Sequence, residues 1–219
     1  MSARRWDRFS LRVLREHGEP VTEHYLVCAL ATTADTEPGD DPIRAAHDRI
    51  VAACEQPVPA VLTRRGGTIL IPGARPDLIT GPLLATWVPA TFHTIPARAE
   101  LAHELLELAV RVRAGPGVFG ADDLALEYQL TRPGPGRDHL ARLLTPLDGH
   151  PELLDTVLEY LRQEHGRSAT GGALGVHPNT VRNRLDKAGR LLGLDLTRLE
   201  SLWQLRAAAV VRSFLRSPD

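Results

Sequence analysis

The chain has 219 residues, 43% of them hydrophobic, and a formal net charge of −1, which is enough material for two small domains with real cores. No apolar run reaches the roughly 18 residues of a membrane-spanning helix, Met1-Ser2-Ala3-Arg4-Arg5 leads into no apolar signal core, and Cys28 and Cys54 are the only cysteines. This pattern argues against a membrane protein, a disulfide scaffold and a zinc site; it predicts a cytoplasmic protein without cofactor or metal, and confines any nucleic-acid binding to a local patch.

The first half alternates strand-like and helix-like stretches. Residues 24–31 form a short apolar run that reads as a buried strand. After a polar loop over 35–41, Pro42 opens a helical pattern with Ile43, Ala46, Ile50, Val51 and Cys54 on one face. Residues 58–63 and 68–71 flank Arg64-Arg65-Gly66-Gly67, a hairpin signal in which Gly-Gly is expected to supply the positive φ angles of the turn. Residues 78–84 read as a weak helix, 87–95 as a strand, and 96–112 as an amphipathic helix with Leu101, Leu105, Leu108 and Val112 on its stripe. Val118-Phe119 can add one more short strand, whereas the surrounding Gly115-Pro116-Gly117-Val118-Phe119-Gly120 fits a dinucleotide-binding pattern in form only. It follows a helix and Pro116 lacks the amide a phosphate would need, so it reads as a turn.

The second half is helical. Residues 122–130 are apolar at helical spacing, Arg132-Pro133-Gly134-Pro135-Gly136 breaks the chain, and 139–144 makes a short helix. Leu153, Leu154, Val157, Leu158 and Leu161 then mark a helix over 151–164, closed by Gly166. Ser168 caps a very short helix to Leu174, Gly175 makes a turn, Pro178 starts a long helix to Leu192 that Gly193 closes, and 198–215 is the last helix. The predicted fold class is therefore α+β, a small N-terminal α/β domain with a mixed or antiparallel sheet followed by an all-α domain. Its expected boundaries are an arm or helix over 1–20, the α/β domain over 21–132, a linker with a short helix over 133–150, and the helical domain over 151–219.

Residues 168–185 carry the functional signal. A helix-turn-helix needs small residues where its two helices cross, a glycine at the turn and apolar anchors on the second helix. Ala169, Gly171 and Ala173 supply the first, Gly175 the second, and Val176, Val181, Leu185, Ala188 and Leu192 the third. At about 100° per residue, Asn179, Asn183, Asp186 and Arg190 point away from those anchors, with Arg182 and Lys187 on the flanks. Amides and cations near the start of such a helix suit the major groove, where Asn bonds adenine and Arg bonds guanine. His177 reads as a capping or packing residue at the turn, and the pairs Asp40-Asp41 and Asp122-Asp123 read as caps rather than acid/base partners.

This segment resembles the C-terminal helix-turn-helix of PucR/CdaR-type bacterial regulators through Tyr160-Leu161, Ser168-Ala169-Thr170, Ala173-Leu174-Gly175-Val176-His177, Asn179-Thr180-Val181-Arg182, Arg184-Leu185 and Gly193-Leu194-Asp195. The resemblance implies a DNA-binding transcription factor whose contacts to double-stranded DNA come from Ser168, Thr170, Pro178, Asn179, Thr180, Arg182, Asn183, Arg184 and Lys187. Upstream, the α/β order, the Arg65-Gly66-Gly67 hairpin and the helix-rich 123–147 stretch look like a GGDEF-like domain, a degenerate one because no Asp or Glu follows the hairpin glycines. No enzymatic activity is expected.

The chain departs from the family pattern at Gly171 and Gly172, at Arg167 in a usually apolar position, and at Asn183 in place of tyrosine. Two interior glycines cost about 1 kcal/mol each relative to alanine, which predicts a loose first helix. From residue 151 onward ten basic side chains face eight acidic ones, so one module would bind weakly and a homodimer is the expected DNA-binding form. A protein-interaction regulator that keeps the fold without binding DNA is the alternative, and a small-molecule effector of unknown identity, sensed through the first domain, is compatible with the DNA-binding reading.

Overall fold

The computed structural model describes residues 22–33, 41–112 and 115–216, so the N-terminal arm expected over 1–20 lies outside the described residues. Internal contacts divide the chain into two units, one ending at Leu126 and the other starting at Glu127.

The first unit comprises β1 (His24–Thr32), α1 (Pro42–Ala53), β2 (Ala60–Thr63), β3 (Gly66–Pro72), β4 (Leu83–Thr91), α2 (Ile95–Val112) and β5 (Gly117–Gly120). The strands lie in the order β2-β3-β1-β4-β5. β1 is antiparallel to both neighbours, with Cys28 opposite Ile69 on one side and Trp87 on the other. β5 runs parallel to β4, which makes α2 the crossover that a parallel pair requires. Every residue from Tyr25 to Leu30 is buried, the mark of a strand covered on both faces. On one face Leu26, Cys28, Leu30, Ile69 and Ile71 pack with Ile43, Ala46 and Ile50 of α1. On the other, the Thr86 hydroxyl donates to the Ala102 carbonyl at 2.6 Å and the Thr68 hydroxyl meets His103 Nε2 at 2.7 Å, which ties α2 to the sheet. Burial there pushes the His103 imidazole below its usual pKa. Asp41 caps α1 by accepting from the Arg44 amide at 2.9 Å, and Asp123 accepts from the Gly120 amide at 2.8 Å.

Several local expectations give way to tertiary contacts. Gly66 and Gly67 do not make the hairpin turn; Arg64-Arg65 does, and both glycines lie within β3. They are required by close approach rather than by φ, since a Cβ on Gly66 would sit 2.3 Å from the Leu30 carbonyl oxygen and one on Gly67 2.3 Å from that of Val61. Residues 78–84 contain no helix beyond one 3-10 turn at Pro76–Leu78, and β4 begins at Leu83 because pairing with β1 recruits it. Ile95 starts α2 instead of ending the strand. The face of α2 that is most buried carries Ala99, Ala102, Leu105 and Ala109, whereas Leu101 and Val112 are half-buried. Val51 of α1 is 45% exposed and so lies off the core face. The 115–120 glycine pattern ends in β5, where Gly120 leaves room for the Trp87 ring, 2.7 Å from where its Cβ would be.

The second unit is helical: α3 (Ala125–Thr131), which starts at the boundary, then α4 (Pro135–Leu143), α5 (Pro151–Arg162), α6 (Arg167–Leu174), α7 (Pro178–Leu192) and α8 (Leu199–Arg216). One apolar cluster joins three of these helices, with Leu153, Val157 and Leu161 of α5 against Val181, Leu185 and Ala188 of α7 and Leu202, Leu205 and Ala208 of α8. The stretch read as a linker contributes Leu144 and Leu147 to this cluster, and α4 packs on α8. Asp148 pairs with Arg212 at 2.6 Å and Arg216 at 3.1 Å, and the hydrogen bond from Arg212 holds its carboxyl below the usual range.

Candidate nucleic-acid interface

The helix-turn-helix is set by local backbone chemistry at each joint. α5 does not close on Gly166. Glu164 and His165 take left-handed φ values of 47° and 70°, the His165 amide donates to the Tyr160 carbonyl at 2.9 Å, and Gly166 becomes the residue preceding α6. Ser168 therefore lies inside the first turn of α6 rather than at its cap. Gly175 is left-handed at φ 65°, a conformation that favours glycine, and the Val176 amide returns to the Gly171 carbonyl at 2.9 Å. At the start of α7, His177 Nδ1 accepts from the Asn179 amide at 3.1 Å while Pro178 fills the first helical position. Gly193, at φ 67°, closes α7 as its position after Leu192 predicts.

The helix crossing differs from the sequence expectation. Ala169 and Ala173 are exposed, and the buried residues of α6 are Thr170 and Gly171. A Cβ on Gly171 would stand 2.7 Å from the Val176 carbonyl oxygen, whereas one on Gly172 would meet nothing within 4 Å. Gly171 is thus the contact that lets the turn fold back on α6, and only Gly172 is an uncompensated helix-interior glycine. Gly172→Ala is accordingly expected to stabilise the helical unit by about 1 kcal/mol and Gly171→Ala to destabilise it by about 1–3 kcal/mol through overpacking against backbone. Urea unfolding of both variants checks this; equal shifts of one sign would refute the assigned contact.

The candidate contact residues separate by burial. Val181, Leu185, Ala188 and Gly189 form the buried face of α7, and Asn179, Arg182, Asn183, Asp186, Lys187 and Arg190 are exposed. Ser168 is exposed on α6, while Pro178 and Thr180 are half-buried at the start of α7. Thr170 leaves the set as a correction: it is fully buried and its hydroxyl donates to the Gly166 carbonyl at 2.7 Å, so it has nothing to offer a phosphate. Arg184 is half-buried and its Nη1 reaches the Thr156 hydroxyl at 3.4 Å, which makes it a tie between α7 and α5.

Beside the exposed face runs an open cleft of about 440 Å³, with Arg167, Arg182 and Arg190 around Leu185, Gly189 and Leu196. Sequence reasoning placed Arg190 on the outward face and noticed Arg167 as unusual, yet included neither among the contacts. Only folding brings Arg167, on α6, to the same cleft as the two arginines of α7.

Residues 153–211 match the family described as the PucR C-terminal helix-turn-helix domain. This segment is a PucR-type helix-turn-helix domain. The YsfB protein of Bacillus subtilis (strain 168) is 32% identical over 97 residues, 43% of this chain and 26% of that protein, so the chain spans about a quarter of its relative's length. A solved regulator of polyketide synthase expression from Bifidobacterium adolescentis aligns over 94% of this chain and 87% of its own, at 17% identity and a TM-score of 0.37. Within the PucR-type domain, the matched region contains α6, the Gly175 turn and α7 in full, and therefore the whole exposed row from Asn179 to Arg190. Among the described residues no helix is long and apolar enough to cross a membrane, and no group of three or more His, Cys, Asp or Glu is placed to hold a metal ion.

Proposed function

We propose that this protein is a cytoplasmic bacterial transcriptional regulator of the PucR/CdaR type that reads DNA through α7. The observation that carries this reading is the exposed row Asn179, Arg182, Asn183 and Lys187 on a helix whose opposite face is locked into the core by Val181, Leu185 and Ala188. A rigid helix with the amides of Asn179 and Asn183 and the Arg182 guanidinium exposed in its N-terminal half has the donors and acceptors that base edges in the major groove require. Ser168, Pro178 and Thr180 lie at the two helix starts, where backbone contacts fix register. The nearly balanced charge of the helical unit favours a homodimer, since two modules double the phosphate contacts and read two half-sites. The sheet unit is proposed as a degenerate GGDEF-like domain that dimerises or responds to an unidentified small molecule, without catalysis of its own: its hairpin carries Arg64-Arg65 and two glycines occupied by strand packing, and no carboxylate follows them.

Selection from a random DNA library by the purified full chain at moderate salt tests the reading, run beside an Asn179→Ala/Arg182→Ala double variant. A two-fold symmetric motif that the variant loses is the expected result. A folded parent that enriches nothing would favour the protein-interaction alternative, which the small charge excess also suits.

A further inference from the structure

The cleft beside α7 has a composition the groove-reading face does not explain. Arg167 stands on α6, Arg182 and Arg190 on α7, and no ion pair or side-chain hydrogen bond ties the guanidinium of any of the three to another described residue. Two carboxylates share the cleft, Asp186 and Asp195. Asp195 is engaged internally, accepting from the Thr197 amide at 2.9 Å and its hydroxyl at 2.7 Å, and those two bonds hold it below the usual carboxylate range. Asp186 makes no ion pair, although Arg190 lies one helical turn away on the same helix. Three guanidiniums that line one open cleft without an ion pair suit an anion, because a guanidinium matches two phosphate oxygens at once and loses little hydration in doing so.

We propose that this cleft seats a backbone phosphate of the DNA at the edge of the groove that α7 enters, with Arg167 and Arg190 as its clamp and Arg182 shared between phosphate and base edge. The proposal rests on the DNA-reading function above. The cleft is open, and Leu185, Gly189 and Leu196 line it together with the three arginines. Its volume of about 440 Å³ leaves room for a phosphate, and Arg182, Asp186 and Arg190 belong both to its lining and to the exposed row of α7. Phosphate contacts position a protein without reading sequence, so this seat fixes where along the groove Asn179 and Asn183 come to lie.

The test is a salt titration of binding by the full chain to its selected site and to a scrambled duplex, with Arg167→Gln, Arg190→Gln and Asp186→Asn variants checked for folding by circular dichroism. In the homodimer each arginine variant removes one cation from each copy, so it is expected to lower the slope of log affinity against log salt by about 1.8, roughly 0.9 per copy, and to weaken both duplexes by the same factor. Asp186→Asn is expected to tighten both. A parent that binds DNA, with arginine variants that keep its slope, overturns the phosphate seat alone; a folded parent that binds no DNA overturns the reading on which it rests. Saturable binding of inorganic phosphate that the arginine variants lose, without any change in DNA slope, would assign the cleft to a free anion and overturn the proposal as well.

Discussion

Leu205→Ala lowers the stability of the helical unit by about 2–5 kcal/mol, the range for removing a buried leucine side chain where neighbours cannot collapse into the space. Leu205 is fully buried on α8, in the cluster that also holds Val157 of α5 and Leu185 of α7. A cavity there loosens the helices that fix the angle of α7, so a loss of this size is a large share of the 5–15 kcal/mol that keeps a typical domain folded. Hydrogen exchange over 151–216 and the thermal midpoint report it, with an expected decrease of roughly 10 °C or more for a unit of this size. Leu199 lies on the same helix but is 59% exposed, and Leu199→Ala is expected to stay within about 0.5 kcal/mol of the parent. Similar losses from the two substitutions would contradict the packing of α8.

Gly66→Ala damages the sheet unit on a comparable scale. The new Cβ would lie 2.3 Å from the Leu30 carbonyl oxygen, and β1 cannot retreat because β4 holds it on the other side. Overpacking against a fixed backbone costs about 3 kcal/mol, the upper end of the usual range. Cys28 gives a direct readout. It is fully buried on β1, and burial pushes its thiol far above the usual range, so a thiol reagent reaches it only when the sheet opens. Since each 1.4 kcal/mol is tenfold in an equilibrium, labelling of Cys28 is expected to accelerate about 100-fold, while the partly exposed Cys54 serves as the internal reference. A Cys28 rate within threefold of the parent would show that Gly66 is not held by that contact.

The features legible in the sequence are those governed by residues near one another along the chain. Pro178 and Gly193 bound α7 because a ring that fixes φ starts a helix and a residue free to turn left-handed ends it; Gly175 marks the turn for the same reason. The apolar spacing of Leu153, Val157 and Leu161, or of Val181, Leu185 and Ala188, gives the buried faces of α5 and α7 because burial repeats with the helical period. The α+β division and the outward row from Asn179 to Arg190 follow from that periodicity. What only the tertiary structure decided depends on atoms brought together from distant positions. Gly66 and Gly67 look like turn residues and are strand residues, because the constraint on them is the backbone of β1 and β2. Thr170 carries a hydroxyl suited to a phosphate, yet the helix crossing buries it, and Arg184 reaches back to Thr156. Leu83 to Thr91 becomes a strand through its pairing with β1. Arg167 joins Arg182 and Arg190 in one cleft because Gly171 allows α6 to lie against the turn. Local chemistry fixes where elements begin and end; steric fit between elements fixes which of their side chains remain free to touch anything else.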